Sequence, residues 1–265
     1  MTAATLDKDA ERDGTRRYAV PALEKGLDVI ELLARSPDPL SLSAVATALD
    51  RTVSEIFRVM QCLESRAYIE RDPESDRYRL SMLLFNLAHT RPPTKALVSA
   101  AAPVLDRIAA AAQQSCHLAV IDGLDIVVVA QVTAPTPMHY AVRLGARFPV
   151  WETSSGVVLL AYQPDEDRRS LLDRIAEIQA DVTRAELEAR CAAALRKGGE
   201  VRTSAIVKGV TNVTYPIFNH QNRVVAVLTS PFLPQVHLDV DIAEAAALIA
   251  AGTREISNAL GHHPG

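Results

Sequence analysis

The chain has 265 residues, 48% of them hydrophobic and 23% charged, with a formal net charge of −4. That length suits two domains better than one, and that composition suits a globular protein with real cores. No run of eighteen apolar residues occurs and the first twenty residues carry several acids, so neither a membrane span nor a secretory signal is expected, and the cytoplasm is the expected address.

Cys62, Cys116 and Cys191 stand far apart and form neither a disulfide framework nor a ligand pair, so each is expected to be an ordinary buried side chain. The histidines are equally scattered, with His262 and His263 expected in a frayed tail. No metal site and no cofactor is expected. A negative total does not exclude nucleic acid, because binding needs a local positive face. Basic and acidic residues balance between Arg16 and Arg91, which leaves the acidic surplus outside that stretch.

Residues 1–15 are small, polar and charged without apolar periodicity, the pattern of a disordered tail. The alternative is an arm that orders on DNA, with Arg12, Arg16 and Arg17 on phosphates. A helix is predicted from Pro21, with Leu23, Leu27, Ile30 and Leu33 on its buried face and Pro37-Asp38-Pro39 ending it. A short helix over 42–49 is capped by Ser41 and turns Leu42, Val45, Ala46 and Leu49 inward. Thr52 and Glu55 then form a T-x-x-E capping box for a third helix whose apolar positions are Val53, Ile56, Phe57, Met60 and Leu63. Only Asp50 and Arg51 separate these two helices, the spacing of a helix-turn-helix. Strand-like runs at 68–71 and 77–80 flank the turn-forming 72–76, which completes a winged helix. Ser81 caps an apolar helix over 82–88, and Pro92-Pro93 forces a break.

The predicted units are a tail at 1–15, a winged helix-turn-helix DNA-binding domain at 16–80, a linker helix at 81–93 and a second domain at 94–265. In that second domain an alanine-rich helix runs to about Gln114. Strands are predicted at 116–121 and 126–132, joined by the turn 122–125, and a third at 140–144 before Gly145. A small-residue helix follows at 157–162, then charged helices at 166–175 and 184–197. Strands at 212–218 and 224–230 flank the turn 219–223, and a closing helix covers about 239–260. Strand pairs mixed with helices indicate an α+β domain on a mostly antiparallel sheet.

On the third helix the solvent-facing candidates for DNA contact are Arg51, Thr52, Ser54, Glu55, Arg58 and Gln61. Arginine pairs two donors with guanine, and glutamine pairs with adenine edges. Glu55 has two readings, a cap of its helix or an acceptor for cytosine N4. Arg71, Arg77 and Arg79 in the wing suit phosphates or the minor groove, and Arg77 and Arg79 share a strand face that excludes Tyr78. No glycine-rich nucleotide loop, phosphate-binding lysine loop or nucleophile elbow occurs. Cys116 and His117 adjoin on a strand and point to opposite faces, which speaks against a thiol–imidazole pair.

VPALEKGLDVIELLA, LSLSAVATALDRTVSEIFRVMQCLESRAYIERDPESDRYRL, CHLAVIDGLDIVVVAQV and AIVKGVTNVTYPIFNHQNRVVAVLTS together resemble the IclR family of bacterial transcriptional regulators over nearly everything after residue 20. The resemblance implies a homodimer or homotetramer that binds double-stranded operator DNA, expected to be pseudo-palindromic. It also implies a GAF-like effector-binding domain for a small organic molecule, with a carboxylate as the expected class. The effector positions it carries over are Ser154, Ser155, Gly156, Arg202, Asn212, Thr229 and Pro231, with Leu118, Met138, Tyr140 and Trp151 as nearby apolar candidates for which core packing is the other reading. Arg202 either offers a carboxylate a bidentate partner or lies on a surface turn. The chain departs from the family at Asp50, Ala67 and Asp76, where glycine is usual, and at Ser54-Glu55, where serine-threonine is common. It departs again at Arg202, Asn212 and Pro231, where an acid, a cysteine and a serine are frequent. Two other classes stay open, a sensory module that recognises another protein and an enzyme acting on a small organic acid.

Overall fold

The computed structural model describes residues 20–90, 92–179 and 183–263. They fall into two compact units divided between Arg91 and Pro92. The predicted tail and the arm with Arg12, Arg16 and Arg17 lie outside the described residues.

The first unit runs α1 (Pro21–Arg35), β1 (Leu40–Ser41), α2 (Leu42–Ala48), α3 (Val53–Ser65), β2 (Ile69–Arg71), β3 (Arg77–Leu80) and α4 (Leu83–Thr90). Its core joins Val29 and Leu33 of α1, Val45 and Ala46 of α2, and Ile56, Met60 and Leu63 of α3 to Ile69 and Tyr78 of the hairpin. Two predicted faces need correction. Leu23 and Leu27 are 59% and 49% exposed, because only the second half of α1 meets the small core, and the first half instead walls an apolar groove with Val59, Cys62 and Leu84. Val53 and Phe57 are likewise exposed, flanking the buried stripe of α3 rather than joining it. Cys62 is exposed as well, since its position turns away from that stripe. The hairpin strands sit in a three-stranded sheet ordered β1-β3-β2, whose two-residue β1 is too short to leave a periodic signal.

The second unit runs α5 (Pro92–Ala112), β4 (Cys116–Asp122), β5 (Asp125–Val132), β6 (Arg147–Pro149), α6 (Ser154–Ala161), α7 (Asp165–Ile178), α8 (Arg184–Lys197), β7 (Glu200–Thr203), β8 (Thr211–Phe218), β9 (Val224–Phe232) and α9 (Ile242–Ala259). Its six strands order as β6-β5-β4-β9-β8-β7, and every neighbouring pair is antiparallel. α5 and α9 cover one face, packed on Cys116, Leu118, Val213 and Leu228. α6, α7 and α8 cover the other, packed on Ala119, Ile126 and Val227. The prolines at 92–93 open α5 rather than merely separate two helices, since proline suits the first helical turn.

The predicted strand at 140–144 is not formed. The chain turns at Gly145 (φ 77°) and only then pairs with β5, through Val127 with Arg147, Ile126 with Phe148 and Asp125 with Pro149. β7 is an edge strand that its polar composition concealed. His262 is not frayed, because it stacks on Phe218 at 4.9 Å between ring centres and its Nδ1 lies 2.9 Å from Asn222 Oδ1.

Candidate DNA interface and effector cavity

The start of α3 is set by local hydrogen bonds. Thr52 Oγ accepts from Glu55 N at 3.3 Å and Glu55 Oε2 accepts from Thr52 N at 3.2 Å, the reciprocal capping box. Glu55 Oε1 also holds Lys25 Nζ at 2.8 Å, tying α3 to α1. The Lys25 ammonium, together with the Thr52 bonds, pulls the Glu55 carboxyl down to about 2. Of its two readings the geometry carries the capping one, and Lys25 is a partner that sequence reasoning missed. With Ile56, Met60 and Leu63 buried, Ser54, Arg58 and Gln61 share the opposite, exposed face at helical spacing. Arg51 and Thr52 are exposed beside it at the helix start.

In the wing, Tyr78 is buried while Arg77 and Arg79 are exposed on the other face of β3. Each wing arginine has a partner within the unit. Arg77 donates to the Pro39 carbonyl at 3.1 Å. Arg79 meets Glu70 at 2.6 Å, Arg71 meets Asp76 at 2.9 Å, and Arg71 also lies over the Tyr78 ring at 5.7 Å. Exposed contacts of this kind are screened by solvent and add little to stability, so a phosphate can displace the acceptor.

In the second unit α6 is buried along its whole length. Thr153 caps it, its Oγ accepting from Gly156 N at 3.0 Å while its carbonyl takes Val157 N at 3.1 Å. That leaves the first N–H groups, those of Ser154 and Ser155, outside the helical ladder. A cavity of about 40 Å³ opens there, lined by His117, Tyr140, Ser154, Ser155, Asn212 and Thr229 together with Ile126, Val142, Phe148, Thr153, Ser204 and Ile206. Ser155 Oγ lies 2.8 Å from Thr229 Oγ1, which lies 3.0 Å from Thr214 Oγ1, a buried hydroxyl chain that pins α6 to β9 and β8.

Five of the eleven effector candidates thus line one cavity: Tyr140, Ser154, Ser155, Asn212 and Thr229. The other six do not. Leu118 faces the opposite core, under α5 and α9, and Met138 is 71% exposed. Trp151 packs among the α6–α8 core and gives its carbonyl to Arg190 at 3.3 Å. Gly156 is a packing glycine, since a Cβ there would meet the Val150 carbonyl oxygen at 2.0 Å. Pro231 is buried next to Asn212 in register, and Arg202, also opposite Asn212, is exposed on the edge strand β7. Arg202 shares that sheet face but does not line the cavity, because β7 is the outermost strand.

His117 is the lining residue that sequence reasoning set aside. It pairs with Thr229 across β4 and β9 and with Gln131 across β4 and β5, so its side chain shares the face of Thr229. Burial pushes its pKa down from 6.5 to about 4. Cys116, one residue earlier, faces the other core with its thiol pushed by burial up to about 12, so the two form no reactive pair. Among the described residues no group of three His, Cys, Asp or Glu side chains could hold a metal ion. No helix among them is long and apolar enough to cross a membrane.

A helix-turn-helix unit ahead of an α+β unit is the domain order of a bacterial transcriptional regulator of the IclR type. The family models for the IclR helix-turn-helix domain and for the C-terminal part of bacterial transcriptional regulator IclR match residues 22–73 and 94–258, and the chain belongs to the IclR family. It is 24% identical over 247 residues to the HTH-type transcriptional regulator XynR of Escherichia coli, covering 92% of this chain and 98% of XynR. It is 25% identical to the probable transcriptional regulator SauR of Cupriavidus necator, covering 83% and 88%. Among solved structures it is similar to the Thermotoga maritima IclR, with a TM-score of 0.71 at 21% identity over 91% of this chain and 98% of that one. An IclR homologue from Microbacterium hydrocarbonoxydans complexed with 4-hydroxybenzoate gives a TM-score of 0.71 at 22% identity, over 90% and 98%.

Proposed function

We propose that residues 16–80 bind a pseudo-palindromic operator as part of a homodimer or homotetramer, that 81–93 link them to a GAF-like effector domain at 94–265, and that a small organic carboxylate in its cavity changes operator affinity. The observation that carries the DNA reading is the face of α3 made by Ser54, Arg58 and Gln61, directly opposite its buried stripe and anchored at its start by the capping box. One such helix reaches only a few base pairs, so two-fold pairing is the usual route to specificity. The exposed Leu23, Leu27 and Met82 supply apolar surface for a second copy. For the effector, the free N–H groups at the start of α6 suit an anion in place of the guanidinium of Arg202. The carboxylic acid bound by the Microbacterium homologue supports the same class.

Titrations over a salt series test the division of labour. Arg58→Ala should reduce the preference for operator over random DNA, whereas Arg77→Ala should weaken both alike and lower the salt slope by about 1. An unchanged specificity ratio in Arg58→Ala would invert the assignment. The internal pairing of Arg71, Arg77 and Arg79 favours one competing reading, a module that recognises protein. That reading expects no salt-dependent binding to any duplex.

A further inference from the structure

Among the described residues, Nδ1 of His117 is the only buried side-chain nitrogen or oxygen without a hydrogen-bond partner. His117 is 5% exposed, and its ring forms part of the cavity wall at the start of α6. Buried polar groups are ordinarily paired, and an orphan marks a missing partner. The fold supplies many hydroxyls nearby, yet Ser155, Thr229 and Thr214 are engaged with one another and none satisfies this nitrogen.

We infer that His117 is the specificity-determining contact of the cavity and that its Nδ1 hydrogen-bonds an uncharged oxygen, hydroxyl or carbonyl, of the effector. This rests on the reading of the cavity as a site for a small carboxylate. Every lining side chain is uncharged when the imidazole is neutral, and Tyr140 is the other titratable group on the wall. The neighbours of His117 from each packed element are neutral too: Gln131 of β5, Thr229 of β9, Ser154 and Ser155 of α6, and Asn212 of β8. No carboxylate among them holds a proton on the ring, and burial disfavours the imidazolium. A neutral imidazole donates or accepts one hydrogen bond to an alcohol or a carbonyl equally well, according to tautomer. The carboxylate end belongs with the helix N-terminus, where two N–H groups await an acceptor. The effector is therefore a short acid with a second oxygen function, and an acid of the same length without that oxygen leaves Nδ1 unpaired.

Calorimetry on the full chain with two matched pairs of probes, glycolate against acetate and lactate against propionate, tests this. The hydroxy acid of each pair should bind about tenfold or more tightly than its parent, the worth of one net hydrogen bond. In His117→Leu the ratio should collapse to about 1, and His117→Asn, which keeps a donor and an acceptor, should restore part of it. Should the leucine variant not fold, the ring nitrogen signal of His117 in the wild-type chain decides, moving with lactate and not with propionate. Equal binding of hydroxy and parent acids to the wild type would overturn the role of His117 and leave the carboxylate reading standing. Persistence of the preference in His117→Leu, or an unmoved ring signal, has the same meaning. If none of the four acids binds at millimolar concentration, the carboxylate reading falls and the inference with it.

Discussion

Desolvation keeps the His117 imidazole neutral, with its pKa lowered from 6.5 to about 4, and this makes stability depend on pH. Between those values the unfolded chain binds a proton that the folded chain does not, so stability is full above about pH 6.5 and is lost as pH falls towards 4. The shift corresponds to about 3 kcal/mol at most, and urea melts across that window should show the slope in the wild type and not in His117→Gln. Period two on β4 sets His117 opposite Cys116 and Leu118, and the pairing of His117 with Thr229 is what puts it on the cavity side while Leu118 packs under α5 and α9. The family pattern points to Ser154, Asn212 and Thr229, which share one cavity wall; it cannot point to the orphaned nitrogen, because a missing partner is visible only in three dimensions. The glycine departures have a similar history. Asp50, Ala67 and Asp76 all take positive φ, at 50°, 59° and 55°. Aspartate tolerates that region through its short polar side chain, but alanine does not. Ala67→Gly should therefore raise stability by about 1 kcal/mol, measured by denaturant unfolding. Asp76→Gly should gain less because it also removes the partner of Arg71; a larger gain at Asp76 than at Ala67 would contradict the strain assignment.

Elements with strong periodicity or a capping pair were readable along the chain, as α3 shows with its T-x-x-E start. Those fixed by tertiary pairing alone were not. β6 forms because three residues after the Gly145 turn reach β5, and β7 because β8 offers an open edge; neither segment has an apolar alternation of its own. α6 begins three residues earlier than its apolar run suggested, since Thr153 provides the cap and Ser154-Ser155-Gly156 enter the first turn. That displacement matters because it turns two serines from a lead-in loop into the helix N-terminus that walls the cavity. Gly156 is what lets the helix lie so close to Val150. Gly156→Ala would drive a Cβ to 2.0 Å from the Val150 carbonyl, and α6 would have to shift outward. The expected cost is about 1–3 kcal/mol in the stability of the second unit, typical of overpacking, with weakened effector binding as the N-terminus moves. A fully stable variant with unaltered ligand affinity would show that the α6–Val150 approach is not needed to shape the cavity.

At the scale of the whole molecule, the two candidate sites belong to units with separate cores, one built on α1–α3 and the wing, the other on the six-stranded sheet. The chain passes from one unit to the other between positions 91 and 92. Regulation requires that an effector in the second unit bind one arrangement of paired DNA-binding units more tightly than another, because equal affinity for both shifts nothing. A coupling of about 1–3 kcal/mol would change operator affinity roughly 5- to 150-fold, and linkage demands the same factor in effector affinity when operator is present. Reciprocity is the sharper test, since a ligand that merely stabilises its own domain raises thermal stability without touching either binding constant. The expected outcome is that a bound short acid and a bound operator fragment alter each other's dissociation constants by one common factor, read by calorimetry in both orders of addition. Identical acid affinities with and without saturating operator, together with identical operator affinities with and without saturating acid, would separate the cavity from control of DNA. His117→Leu sharpens the comparison, because it should weaken the change in operator affinity that lactate produces relative to propionate.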